Sequence, residues 1–319
     1  MLQRFTRQTL TIVLLVTLVA SLANAEKKAA QRFARFEVGE KVHYGIVNGN
    51  QVTAIKGDLF SKWSRTDQSF KLSDVKLLPP TRPTQIFALA GNYKSHINDG
   101  NTTTTITTVT KVVTNSKTNL TSAESTTKSE TTPEGEVPAK FKIPQPFFKS
   151  PSCLVADGGK IVLPKDAEVV HYEAELVIVI GKKASKVSRA DAMDYVFGVT
   201  CGNDVSARVW QKNDVQWWRA KGSDTFGPCG PFIATGLDYD NLDMELRLNG
   251  KIMQKDNTKN MITDVRAAVA GISKHITLHP GDLIFTGTTG KTSEIKAGDT
   301  VEVELEGVGV LTNKVVDEK

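Results

Sequence analysis

An apolar run between Val169 and Ile180 constrains the fold of this chain most strongly, because two glutamates, Glu173 and Glu175, interrupt it. The run has the length and composition of a buried strand and is bounded by a Gly181–Lys182 turn. Side chains at positions i and i+2 of a strand point to the same side, so both carboxylates are predicted to share one face. Two like charges side by side in a half-buried strand are costly unless a cation neutralises them. The pattern therefore favours a strand whose acidic face binds a cation.

A pair of glutamates at this spacing is weak evidence on its own. Glu302 and Glu304 repeat the spacing near the C-terminus, where we predict that they face solvent. The first pair differs because the segment 198–208 reads as a buried strand that opens into a polar turn carrying a third acid, Asp204. Ligand sets made only of oxygen favour Mg²⁺, Ca²⁺ or Mn²⁺ over Zn²⁺. On spacing alone, a metal site and a solvated acidic face both remain open.

Strand and turn signals dominate the rest of the chain. Helices are predicted at only two places, 188–196 and 263–274, and Ser188 is expected to cap the first of them. Strands are predicted at 42–46, 52–55, 85–90, 283–286, 301–305 and 310–315. The sequence thus predicts a mixed α/β fold that is mostly β, with few helices.

Residues 1–25 have the features of a signal peptide. Two arginines precede the short apolar run Leu10–Val19, and Ala23–Ala25 provides a small-x-small cleavage site. The run is shorter than the roughly 20 residues that span a bilayer. We therefore expect an exported, periplasmic or secreted protein, with an uncleaved membrane anchor as the alternative.

The mature chain is expected to contain two units. A small β-rich domain occupies residues 26–79, and a larger catalytic domain occupies residues 80–319. The larger domain contains a Thr-rich insert at 101–140, which we predict to be a loop with some β-hairpin structure near 106–113.

Charge and cysteine content exclude some functions. The net charge of +5 is spread along the chain without a recognition motif, so no nucleic-acid partner is expected. No second apolar stretch follows the signal, so no membrane partner is expected after its removal.

The chain has 3 cysteines, Cys153, Cys201 and Cys229, without metal-ligand spacing. We predict buried thiols; one disulfide is the alternative.

Five sequence blocks, in order, resemble the fumarylacetoacetate hydrolase superfamily over roughly residues 80–317, the insert excepted. The 26–79 unit also resembles the small domain that precedes the core in many bacterial members. The blocks are Gly91–His96, His171–Leu176, Asn203–Arg208, Lys221–Pro228 and Leu283–Thr288.

The resemblance implies a β-roll around a divalent metal ion, Mg²⁺ or else Mn²⁺ or Ca²⁺. At the matching positions the ligands are Glu173, Glu175 and Asp204, and the ion would be chelated by the carboxylate and 2-oxo oxygen of a small acid. Lys221 matches a group that faces developing oxyanion charge. Thr288 matches a residue that holds the substrate carboxylate.

Further site residues also follow from the resemblance. Tyr93 is expected to line the substrate pocket. Arg208 and Gln211 are expected either to contact the substrate or to hold Asp204 in place, and the second role is favoured.

His96 resembles a base that activates water together with an acid three positions later. The third position here is Asp99, whose side chain is one methylene shorter than the glutamate expected there, and the Thr-rich insert follows it. A second departure is Thr289, where many members have proline. The metal site therefore matches the family better than the residues that select the reaction.

Three functions fit these residues. The first is a metal-dependent hydrolase or decarboxylase that cleaves a C–C bond in a 2-oxo or 1,3-dicarbonyl acid, acylpyruvate-like or oxaloacetate-like. The second is an isomerase, hydratase or ureidoglycolate-type lyase using the same site. The third is an exported binding protein that keeps the metal pocket without catalysis. The resemblance also implies a homodimer.

Overall fold

The computed structural model describes residues 30–97, 103–114, 121–132 and 136–319. The predicted signal peptide and Asp99 lie outside these residues. The described part is mostly β with few helices, as the sequence predicts. Its helices are α1 (Lys94–Ile97), α2 (Arg208–Asn213), α3 (Trp218–Gly222) and α4 (Val265–Ser273). None of them is long and apolar enough to cross a membrane.

The described strands are numbered in chain order. Those before the Thr-rich segment are β1 (Gln31–Val38), β2 (Lys41–Asn48), β3 (Gln51–Gly57), β4 (Trp63–Lys71), β5 (Lys76–Leu77) and β6 (Ile86–Leu89). The Thr-rich segment supplies β7 (Thr103–Thr114) and β8 (Thr121–Thr132). The next strands are β9 (Pro146–Lys149), β10 (Leu154–Val155), β11 (Lys160–Leu163), β12 (Val170–His171), β13 (Ala174–Ile180), β14 (Val196–Asn203), β15 (Ser206–Ala207) and β16 (Gly227–Thr235). The last are β17 (Asp243–Leu248), β18 (Lys251–Asn257), β19 (Leu283–Phe285), β20 (Thr300–Leu305) and β21 (Gly309–Asp317).

One large sheet runs through the N-terminal unit and the core. Its order is β4-β3-β2-β1-β16-β14-β13-β19-β6-β9, and β5 and β10 pair at its side. The strands of the N-terminal unit join it because β1 pairs antiparallel with β16, Gln31 opposite Thr235. A second sheet has the order β11-β21-β20-β17-β18.

Strand β13 is buried along its whole length. Leu176, Ile178 and Ile180 pack into the cluster that also contains the apolar residues of the second sheet. Val177 and Val179 point the other way, into a cluster with the N-terminal unit. Burial of each such side chain contributes about 1.5–3 kcal/mol, so β13 is held rigidly from both sides.

The Thr-rich segment pairs as an antiparallel hairpin. Strands β7 and β8 are in register from Thr103 opposite Thr132 to Thr114 opposite Thr121. Threonine is β-branched and favours extended backbone, which explains why this Thr-rich segment forms strands.

One predicted helix is confirmed and one is wrong. Helix α4 falls within the predicted 263–274, and its N-cap Asp264 accepts a hydrogen bond from the Ala267 N–H at 2.8 Å. At 188–196, Ser188 and Asp191 instead close a turn, which a short 3₁₀ segment at Ala192–Tyr195 follows. Ser188 and Asp191 therefore form a turn and do not cap a helix, because the chain enters the buried strand β14 at Val196.

All three cysteines are free and buried, so the prediction of buried thiols is confirmed.

Candidate metal and substrate site

Pairing of β13 with β14 brings the three predicted acids together. Ala174 lies opposite Asn203, so Glu175 lies opposite Gly202 and Asp204 follows the end of β14. Each acid offers one oxygen such that the three atoms lie within 4.8 Å of one another. The structure therefore assembles the predicted ligand set in a buried position.

Glu173 reaches the cluster by a different route from the predicted one. The predicted strand 169–180 is interrupted, and Glu173 stands just before β13 begins. Its N–H donates to Asn203 Oδ1 at 2.8 Å, and its carbonyl accepts from the Asp204 N–H at 2.9 Å. These bonds to the neighbouring segment hold Glu173 beside Asp204 without a continuous strand.

Three basic side chains surround the acids. Lys221 Nζ donates to Glu173 Oε2 and Asp204 Oδ2, each at 2.7 Å. Arg208 pairs with Glu173 Oε1 at 2.7 Å, and Lys149 pairs with Asp204 Oδ1 at 2.6 Å. These three positive groups pair with Glu173 and Asp204, whereas Glu175 forms no ion pair with any of them.

The charges act differently on the two glutamates. Burial alone would raise the pKa of Glu173, but adjacent Lys221 and Arg208 hold it below its ordinary value. Burial raises the pKa of Glu175 well above its ordinary value, and Asp204 and Glu173 add to the effect. Among the residues that the structure describes, the buried Glu175 Oε1 also has no hydrogen-bond partner. An unpaired carboxylate oxygen beside two other acids fits a hard divalent cation.

The other oxygen of Glu175 is held by a glycine turn. Gly287 donates its N–H to Glu175 Oε2 at 2.7 Å. Its φ of +91° is unfavourable for other residues, and a Cβ there would lie 2.8 Å from the Asn92 Cβ. Glycine is therefore required for this loop to approach the acid.

A cavity of about 250 Å³ opens onto the cluster. Glu173, Lys221 and Thr288 provide its charged and hydroxyl groups, and aromatic and aliphatic side chains line much of the rest. The other lining residues are Leu89, Ala90, Gly91, His96, Ile97, Phe141, Phe147, Gln211 and Trp217. Four predicted site residues outside the acid cluster, His96, Gln211, Lys221 and Thr288, therefore face one small space.

Thr288 is positioned by a residue that the sequence analysis missed. Buried Gln254 donates to Thr288 Oγ1 at 3.0 Å and to the Thr289 carbonyl, while its Oε1 accepts from the Ala174 N–H at 3.1 Å. Gln254 thus ties the 287–290 loop to the start of β13. An isolated glutamine in a strand carries no local signal of this role.

His96 has a defined orientation. Its Nδ1 lies 2.7 Å from the Gly290 carbonyl oxygen. Because a carbonyl only accepts, the neutral ring carries its proton on Nδ1 and keeps a lone pair on Nε2. The predicted pairing with Asp99 involves a residue outside the described part, so that dyad stays a prediction.

Arg208 and Gln211 support each other, since Arg208 donates to Gln211 Oε1 at 2.8 Å. Arg208 also donates to Thr292 Oγ1 at 2.7 Å and is paired with Glu173, so it holds a candidate ligand in place. The acid that it holds is Glu173, whereas the role expected from the sequence was to hold Asp204. Tyr93 is fully buried, and its hydroxyl has no hydrogen-bond partner in the described structure. It is not among the residues lining the cavity.

Lys149 was also missed by the sequence analysis. It ends β9, directly after two phenylalanines, and its side chain is 0% exposed. A lysine that closes an otherwise apolar strand is the only sequence signal of a buried charge here.

The second acidic pair behaves differently. Glu302 and Glu304 both pair with Arg247, at 3.3 and 2.7 Å. The prediction that they are merely solvated is therefore incomplete, because a cation from β17 already neutralises them.

A larger cavity of about 790 Å³, partly lined by Phe33, Phe60 and Trp63, contains none of the three candidate ligands.

Comparison with known proteins agrees with this architecture. Residues 85–316 match the family model described as fumarylacetoacetate (FAA) hydrolase C-terminal, and residues 31–80 match the model Rv2993c-like, N-terminal. Protein Rv2993c of Mycobacterium tuberculosis is 39% identical over 79% of this chain and 82% of its own length. Oxaloacetate tautomerase Fahd2a, mitochondrial, of Rattus norvegicus is 40% identical over 55% of this chain and 59% of its own.

Solved structures are similar over most of the chain. A 2-hydroxyhepta-2,4-diene-1,7-dioate isomerase from Mycobacterium marinum has a TM-score of 0.74 and 35% identity, covering 90% of this chain and 99% of its own. Maleylpyruvate hydrolase from Sphingobium sp. SYK-6, in complex with manganese(II) and pyruvate, has a TM-score of 0.66 and 27% identity, covering 90% and 100%. The relatives named above include a tautomerase, an isomerase and a hydrolase. Because the family match covers residues 85–316, most of the chain, the chain belongs to the fumarylacetoacetate hydrolase family.

Proposed function

We propose that this chain is a divalent-metal-dependent enzyme that cleaves a C–C bond in a small 2-oxo or 1,3-dicarbonyl acid, acylpyruvate-like or oxaloacetate-like. The observation that carries the proposal is the buried cluster of Glu173, Glu175 and Asp204 at the end of a cavity of about 250 Å³. That volume limits the substrate to a small acid. The manganese and pyruvate named for the maleylpyruvate hydrolase are consistent with such a ligand.

The three acids would hold the ion, Mg²⁺ or else Mn²⁺ or Ca²⁺, and the bound ion would act as a Lewis acid toward the 2-oxo group. Lys221 lines the cavity and places a positive charge where an enolate oxygen develops. Thr288, held by Gln254, presents a hydroxyl to the substrate carboxylate. Arg208 keeps Glu173 oriented.

His96 is the residue that we assign to proton transfer. The Gly290 carbonyl fixes its Nδ1–H, so Nε2 takes a proton from water or from the substrate carbon. Replacement of His96 by Gln is expected to lower kcat about 10²–10⁴-fold while Mn²⁺ binding is unchanged. An unchanged kcat would remove His96 from the mechanism.

A second candidate is tautomerisation or isomerisation in the same site. The backbone carbonyl that orients His96 serves a one-base proton transfer as well as it serves water activation. The names of the rat and M. marinum relatives favour this candidate. Hydratase and ureidoglycolate-type lyase reactions remain within the same class.

One pair of assays separates these functions. Oxaloacetate and acetylpyruvate are supplied with Mn²⁺ or with EDTA, and both pyruvate release and loss of enol absorbance are followed. Metal-dependent pyruvate release supports C–C cleavage, whereas rapid enol loss without pyruvate supports tautomerisation. Metal-dependent binding of oxalate without either reaction would overturn both and support a non-catalytic binding protein.

Export and dimer formation are further proposals. Cleavage after Ala25 would give a mature N-terminus at Glu26, which mass spectrometry of the secreted or periplasmic protein detects. A homodimer would appear in light scattering at twice the mass of the chain. The full-length chain in the membrane fraction, or a monomer at all concentrations, would contradict them.

A further inference from the structure

Lys149 connects two parts of the site without reaching the cavity. Its Nζ donates to Asp204 Oδ1 at 2.6 Å, to the Phe226 carbonyl at 3.1 Å and to the Lys221 carbonyl. These three bonds use all three ammonium donors. Lys149 is not among the residues lining the cavity, so any effect on a bound substrate must pass through its partners.

The two oxygens of Asp204 have different surroundings, and the bond to Lys149 sets this difference. Lys149 Nζ binds Oδ1 from outside the cavity, whereas Lys221 Nζ bridges Oδ2 to Glu173 Oε2, so Oδ2 lies on the side of the other acids. A bidentate Asp204 would need Oδ1 as well. The carbonyls of residues 221 and 226 anchor the ammonium group, so it cannot follow the carboxylate if the latter rotates.

We propose that Lys149 is a positioning residue that keeps Asp204 monodentate and so makes the metal site select Mg²⁺ or Mn²⁺ over Ca²⁺. The inference rests on the metal site of the proposed function. Ca²⁺ takes 6–8 oxygens, commonly with bidentate carboxylates, whereas Mg²⁺ requires near-octahedral geometry and keeps several waters. Monodentate binding by Asp204 reduces the number of protein oxygens on the ion and leaves more positions for water and substrate, which suits the smaller ions.

The test compares dissociation constants for Mn²⁺ and Ca²⁺, measured by calorimetry on metal-free protein. The wild type is expected to prefer Mn²⁺, and Lys149→Met is expected to reduce that preference at least tenfold. Lys149→Gln, which keeps two N–H donors but no charge, should fall between them. Lys160→Met removes an exposed lysine of β11 and should leave the ratio unchanged.

A crystal structure of the Mn²⁺-loaded wild type gives a second measurement that does not depend on the variants folding. It should show Asp204 binding through one oxygen, with Lys149 on the other. A bidentate Asp204, equal affinity of the wild type for Mn²⁺ and Ca²⁺, or an unchanged ratio in Lys149→Met would overturn the inference. Absence of binding of either ion to the wild type would instead overturn the proposed metal centre itself.

Discussion

Lys221 Nζ lies 2.7 Å from Glu173 Oε2, so a lysine contacts one of the acids that would bind the metal. The same nitrogen contacts Asp204 at 2.7 Å, and the Lys221 side chain is only 3% exposed. Burial would lower the pKa of Lys221, but Asp204 and Glu173 raise it above its ordinary value. The lysine is thus a structural counter-ion of the acids as well as the positive group assigned to the reaction.

Replacement of Lys221 by Met is therefore expected to destabilise the metal-free protein. Removing one partner of a buried ion pair costs about 3–5 kcal/mol, because the remaining charges stay buried. Saturating Mn²⁺ should recover most of this loss, since the ion supplies the missing positive charge. Urea unfolding in EDTA and in Mn²⁺ measures both effects.

Lys160→Met is the matched control and should unfold like the wild type in both conditions. Equal destabilisation of Lys221→Met with and without Mn²⁺ would contradict the view that the lysine and a metal ion neutralise the same acids.

Glu175→Gln should stabilise the metal-free protein. Burial, together with Asp204 and Glu173, raises the pKa of Glu175, so the charged form of this carboxyl is unfavourable in the metal-free cluster. A glutamine keeps an acceptor for the Gly287 N–H and presents a neutral amide to the other acids. We expect a rise of a few degrees in the Tm measured in EDTA at neutral pH. A lower Tm than wild type would show that Glu175 contributes to stability without a metal ion.

His171 is expected to make stability depend on pH. Burial, with Arg208 adding to it, lowers its pKa to about 4, and its Nδ1 lies 2.9 Å from Thr292 Oγ1. The unfolded chain has the ordinary histidine pKa of about 6.5 and so binds more protons between these values. The contribution of His171 is therefore complete above about pH 6.5 and is lost as pH falls toward about 4.

The His171→Asn variant isolates this contribution. Between pH 7 and pH 5, the free energy of unfolding of the wild type should fall by more than that of the variant. His43→Asn, in the N-terminal unit, is the control. A difference that does not change over this range would mean that His171 is protonated equally in both states.

Gln254→Leu should affect substrate binding more than metal binding. The change removes the donors to Thr288 Oγ1 and to the Thr289 carbonyl, so the loop that carries Thr288 into the cavity loses its support. We expect KM to rise about tenfold, as for the loss of about 1.4 kcal/mol of binding, with Mn²⁺ affinity retained. An increase in the metal dissociation constant of equal size would instead place Gln254 in the support of the acids.

The residues of the acid cluster could be predicted because their spacing is local. Glu173 and Glu175 stand two positions apart, and the Asn203–Arg208 block carries Asp204 in a recognisable motif. The break before Ala174 could not be predicted, because it depends on Asn203 accepting from Glu173 across the sheet.

Other parts of the site depend on contacts between distant segments. Lys149 is 55 positions from Asp204, and Gln254 is 34 positions from Thr288. Neither residue has neighbours in sequence that reveal its partner. The fold class, in contrast, follows from short alternating strands and frequent turns, which are local patterns. Long-range hydrogen bonds are therefore what the sequence leaves undetermined here.

The most direct test of the central claim is Mn²⁺ binding to EDTA-treated protein, followed by electron paramagnetic resonance. We expect a single ion per chain in the wild type. Glu302→Gln is the control, because it removes one negative charge from a carboxylate that is paired with Arg247, and it should also bind a single ion. Binding should be lost in Glu175→Gln and Asp204→Asn. No stoichiometric Mn²⁺ site in the wild type, or an unchanged site in both of these variants, would contradict the claim that these acids hold the metal ion.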